Sequence, residues 1–109
     1  MTLIELKRIL DAAGYPVAYS HFTESTNRPI PDPPFIVYLS PSTSNFFADD
    51  TVLKKINDLT VELYTSYKDL SAEQALEDVL EDNEIPWEAN EVWIESEKMF
   101  KKTYEIGVI

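Results

Sequence analysis

The sequence predicts an α+β fold: a mostly antiparallel sheet of about four strands packed against two helices, in the order α-β-β-β-α-β(β). Three observations predict it. Apolar residues recur at spacings of three and four in two stretches, one near the start and one past the middle. Between them, Phe35 to Leu39 and Leu59 to Thr65 are rich in β-branched and aromatic residues, and the second alternates apolar with polar at period two. A block of strands between helices gives a layered α+β arrangement. No linker or internal repeat divides the 109 residues, which form a single domain, 1–109, long enough to bury roughly two thirds of the surface exposed when unfolded.

Thr2 and Glu5 have capping-box spacing, and Leu3, Leu6, Ile9, Leu10 and Ala13 follow as one apolar face, so a helix is expected over 2–13 with Gly14 as its stop. Residues 15–22 read as a strand with Val17, Tyr19 and His21 on one side and Pro16 at its start. Residues 23–34 contain Pro29, Pro31, Pro33 and Pro34. Each proline fixes its own φ and pushes the preceding residue to extended geometry, which makes an irregular arm, read first as a surface loop. Its length, roughly twice the median connection, also suits a contact to a neighbouring subunit, with Pro31 and Pro33 as candidates.

Residues 35–40 form a short strand that Pro41 is expected to end. A polar loop then carries Phe46 and Phe47. Neighbours on an extended chain point to opposite faces, so one sheet face cannot bury both, and one is available to a partner. Residues 51–65 are the longest strand candidate: the first part, 52–58, alternates poorly and has a helical turn as its alternative, whereas 59–65 is a firm strand. Ser71 and Gln74 repeat the capping-box spacing, and Ala72, Leu76, Val79 and Leu80 make a stripe, giving a second helix over 71–82. Phe100, Tyr104, Ile106 and Val108 share one face of a last strand, with Lys101, Thr103 and Glu105 on the other. Val92, Trp93 and Ile94 belong to an earlier strand or edge segment.

The net charge of −11 is unevenly placed. Residues 69–97 hold eleven acidic residues and no lysine or arginine, while the rest carries nine of each sign. Such a chain repels phosphate backbones, so direct nucleic-acid binding is not expected. The acidic run is read first as a solvated face, and second as a surface for a basic partner or a mimic of DNA. No apolar run approaches the ~20 residues that span a bilayer, and residues 1–8 lack the basic-then-apolar order of a secretory leader. A soluble protein made in the cytoplasm is expected, with no membrane partner.

Catalytic signals are absent from the sequence. There is no cysteine, so there is no thiolate nucleophile and no zinc–sulfur site. His21 is the single histidine and has no partner suited to nucleophilic catalysis. Asp49 and Asp50 have the chemistry to bind a hard cation, although a turn and cap before Thr51 is the simpler use. Two glycines, Gly14 and Gly107, leave no phosphate cradle and no calcium loop of the helix–loop–helix type. No enzyme activity, cofactor or metal is expected. Tryptophan is enriched at binding hot spots, which makes Trp93 a candidate anchor, while core packing is expected of at least one of Trp87 and Trp93.

The runs Phe35-Ile36-Val37-Tyr38-Leu39, Asn45-Phe46-Phe47-Ala48-Asp49, Val61-Glu62-Leu63-Tyr64-Thr65 and Ile94-Glu95-Ser96-Glu97-Lys98-Met99 resemble small proteins of the head–tail module of tailed bacteriophages and Gram-positive prophages. These are described as tail-completion, tail-terminator or head–tail joining proteins. The likeness spans nearly the whole chain, including the first helix, Val17-Ala18-Tyr19 and the acidic second helix. It implies a virion subunit that forms a ring with copies of itself and meets the major tail protein and head–tail connector proteins. It implies no cofactor and no reaction. The chain's own residues suit a ring subunit, whose heterologous contacts need two different patches. Phe46, Phe47, Asp49, Asp50, Pro31, Pro33 and Trp93 are the candidate partner-binding residues. An acidic inhibitor or DNA mimic directed at a basic enzyme surface is the alternative.

Overall fold

A computed structural model describes residues 2–20, 22, 30–48 and 51–106, with the backbone alone described for 41–48 and 51–58. Helix α1 spans Leu3–Asp11, β1 Val17–Tyr19, β2 Phe35–Ala48, β3 Thr51–Thr65, α2 Leu70–Asp82, β4 Trp87–Ile94 and β5 Met99–Ile106. One five-stranded sheet runs in the order β1-β2-β3-β5-β4. β1 lies parallel to β2 and every other pairing is antiparallel, so the fold is the expected α+β class with five strands and a mixed sheet.

The first helix starts as its sequence requires. The Glu5 amide donates to the Thr2 hydroxyl oxygen at 3.1 Å, and the same hydroxyl reaches the Glu5 carboxylate at 3.2 Å. This is half of a capping box, with the return bond going to the cap's side chain instead of its backbone. Gly14, at φ +91°, takes the left-handed conformation just beyond the helix. β1 is shorter than expected, because Ser20 turns out of the strand at φ 65°. His21 lies outside the described residues.

The second helix corrects the expected cap. Asp69, not Ser71, is the N-cap, and its carboxylate accepts from the Ala72 amide at 3.0 Å. An aspartate there also meets the positive end of the helix dipole. Asp69→Ala is expected to lower stability by about 1 kcal/mol, and Ser71→Ala by less than about 0.5 kcal/mol, measured by urea unfolding.

A larger correction concerns 41–50. Pro41 does not end β2, which runs on to Ala48. β3 spans the whole of the expected 51–65 strand, without the alternative helical turn in its first part. Leu39 pairs with Thr60 and Ser42 with Asp58, so β2 carries one extra residue at Ser40 and Pro41. A bulge tolerates proline because its missing N–H falls out of the ladder. A second slip separates Phe46, paired with Lys54, from Phe47, paired with Val52.

Both helices cover the same face of the sheet. Leu6 and Leu10 of α1, Ala72, Leu76 and Leu80 of α2, and Ile85 meet Ile36, Tyr38, Leu59, Val61, Leu63, Tyr104 and Ile106, all buried. The strand members of this core are spaced by two and the helix members by three and four, as the sequence pattern demands. The opposite face takes Phe35, Val37, Glu62, Tyr64, Lys101, Thr103 and Glu105.

Candidate functional site

Three features of this framework bear on function. The first ties the acidic helix to the sheet. Glu73 and Glu77 lie one turn apart on α2, and Lys102 projects from β5 between them, its Nζ 2.7 Å from Glu73 and 3.0 Å from Glu77. The buried Tyr104 hydroxyl donates to Glu77 at 2.7 Å. Lys68 bridges Glu73 at 2.8 Å to Glu91 of β4 at 2.9 Å. Burial pushes the Glu73 carboxyl upward, but hydrogen bonds from Lys102 and Lys68 outweigh it, and the group titrates below the ordinary glutamate range. Burial likewise opposes the Lys102 charge, and its two carboxylates overcome this and raise its pKa. Tyr104 is raised far above a free phenol, first by burial and then by Glu77. These carboxylates are engaged by cations and a hydroxyl, so they act as structural ties. Among the described residues no three His, Cys, Asp or Glu side chains are grouped to hold a metal ion.

The second feature is the face without helices. Phe35 stacks on Tyr64 with centroids 5.0 Å apart, and Phe22 meets Phe35 edge-on at 5.2 Å. Phe22 and Ile30 border a cavity of about 230 Å³ with Ser20, Val37, Tyr64 and Met99 on its walls. The Tyr64 hydroxyl donates to Glu62, which also faces Lys101. Phe22 and Ile30 therefore lie against the apolar half of this face. Toward β4 the face becomes polar and exposed.

The third feature is the distal half of the β2–β3 hairpin. β5 pairs with β3 only over Leu59 to Thr65, and β1 pairs with β2 only over Ile36 to Tyr38. From Ser42 to Ala48 and from Thr51 to Asp58, each strand is paired with the other alone among the described residues. This two-stranded ribbon continues about 26 Å past the last rung with β5, at about 3.3 Å per residue. An isolated ribbon is marginal in water, and among the described residues no further strand pairs with either of its edges.

The structure separates the candidate residues. Phe46 and Phe47 fall on the ribbon, on a strand and not in a loop, at the position where the register slips. Asp49 and Asp50 lie outside the described residues, between the ends of β2 and β3. Pro31 and Pro33 are half-buried in the segment leading into β2. Trp93 sits on edge strand β4, 44% exposed, its ring edge-on to Phe100 and its Nε1–H donating to Glu95 at 2.6 Å. Trp87 is the tryptophan that packs on the core, against Tyr104. The candidates therefore divide among the ribbon, the segment before β2 and the far edge of the sheet.

Sequence reasoning missed the β2 half of the ribbon, because a proline reads as a strand end unless a bulge formed with a partner strand accommodates it. It also missed Glu88 and Glu105, which lie directly opposite each other on β4 and β5. Their opposition depends on strand register, which no local pattern reveals. Among the described residues no helix is long and apolar enough to cross a membrane. The chain matches no protein-family model and no curated protein.

Proposed function

We propose that this protein is a non-enzymatic virion subunit of a tailed phage or prophage, acting in tail completion or head–tail joining. In this reading copies close into a ring between the tail tube and the head connector, within particles assembled in the host cytoplasm. The observation that carries the reading is the β2–β3 ribbon. A paired strand extension whose edges are open among the described residues is suited to a neighbour's surface, and Phe46 and Phe47 on it supply contact area once covered. A ring needs one patch to meet a different one, and a protruding ribbon docking on a neighbour's body meets that need. The inhibitor or DNA-mimic reading is weaker, because Glu73, Glu77 and Glu91 are already held by Lys68 and Lys102.

The test is the double substitution Phe46→Ser and Phe47→Ser, followed by a circular dichroism melt and electron microscopy of particles. The melt is expected to stay near wild type while joined, full-length virions are lost. Normal virions would overturn the reading of the ribbon as the assembly element.

A further inference from the structure

β4 is an outer strand of the sheet, separated from the β2–β3 pair by β5. Its six central residues, Glu88 to Trp93, are all exposed. β4 pairs only with β5 among the described residues, so its outer side offers backbone donors and acceptors to another strand. An exposed apolar side chain stands on each face of this edge, Val92 at 47% and Trp93 at 44% exposure. Their positions alternate, as they would to grip an added strand from both sides.

Charge selects the occupant. Glu88 faces Glu105 across the β4–β5 ladder, both are exposed, and neither makes an ion pair among the described residues. Like charges directly opposite on neighbouring strands destabilise a sheet. Lys68 engages Glu91 but leaves this pair uncompensated. A second copy pairing through its own β4, which carries two glutamates and no lysine or arginine, would add negative charge to this edge and no cation. An extended segment with lysine or arginine at alternate positions would instead relieve the repulsion.

We propose that the β4 edge binds an extended basic segment of another protein by strand addition, with Glu88 and Glu105 pairing its cations on the face where Val92 covers their aliphatic stems, and Trp93 packing its apolar side chains on the other. The ladder supplies affinity, and the carboxylates supply direction and partner choice. This inference stands apart from the ring: it requires neither the ribbon nor a phage origin.

The test uses the full chain and a capped synthetic peptide of about ten residues, alternating lysine with valine or threonine, long enough to match the edge. The control has the same charge and two central prolines, which block strand pairing. The alternating peptide is expected to bind, to weaken with added salt, and to slow amide hydrogen exchange within β4. Glu88→Gln with Glu105→Gln should reduce affinity about tenfold. The same pair of changes should raise the melting temperature by about 2 °C, because the repulsion is gone. Equal binding of the proline control would overturn the proposal, as would exchange protection placed away from β4. Unchanged affinity in the double variant, or a loss of affinity accompanied by a lower melting temperature, would do so as well. So would β4 protection that grows with protein concentration in the absence of peptide, which would identify a second copy as the occupant.

Discussion

Tyr104→Ala is expected to cost about 4 kcal/mol of stability, within the range for removing a buried aromatic ring. A domain of this size has about 5–15 kcal/mol in all, so the variant should be close to unfolding at physiological temperature. The side chain is fully buried at the middle of the helix-covered face, with Trp87 edge-on at 5.2 Å and the Lys102 ammonium 5.2 Å from the ring centre. Truncation would remove the ring from between β4 and α2 and leave a cavity that two anchored elements cannot collapse. Tyr104→Phe separates the ring from its hydroxyl. Glu77 keeps its bond to Lys102 in that variant, so the loss should be about 1 kcal/mol. Urea unfolding of both variants checks the ratio. Equal, small losses would mean that the ring is not the keystone of this face.

Lys102→Met is expected to be the next most damaging change, at about 2–3 kcal/mol near neutral pH. It keeps most of the stem's packing while leaving Glu73, 7% exposed, with Lys68 alone and Glu77 with the Tyr104 hydroxyl. The pH dependence distinguishes lost charge pairing from lost packing. Glu73 titrates lower in the folded protein than in the unfolded chain, so the unfolded chain binds more protons in acid. Its contribution is complete above the unfolded value of about 4.3 and disappears as pH falls through the lower folded value. Lys102 is raised, so its part is complete below the unfolded value of about 10.4 and is lost as pH rises through the folded one. The gap between wild type and Lys102→Met should therefore be widest between about pH 5 and pH 10 and close on the acid side. A gap constant down to pH 2 would assign the effect to packing.

The acidic run is a case where composition and structure speak to different questions. Counting showed that residues 69–97 carry the whole charge excess. It did not show that Glu73, Glu77 and Glu91 turn toward Lys68 and Lys102, while Glu88 and Glu105 face each other without a cation among the described residues. Lys102 is 29 residues from Glu73 in sequence, and only the packing of α2 across β5 brings them within 2.7 Å.

By itself the sequence determined the elements whose signal is local. The apolar positions Leu6 and Leu10, and Ala72, Leu76, Val79 and Leu80, marked the buried faces of both helices, because helical spacing places them on one side whatever they pack against. Alternation likewise identified Val61 and Leu63 as core and Lys101 and Glu105 as facing the other way. Tertiary structure decided what depends on a partner strand. Pro41 ends a strand only if its missing N–H must be paired, and the bulge opposite Asp58 to Thr60 removes that need. The ribbon, the parallel placement of β1, the open β4 edge and the Glu88–Glu105 opposition all follow from register between distant segments. Register is settled by the summed packing of whole faces, which no single stretch of the chain contains.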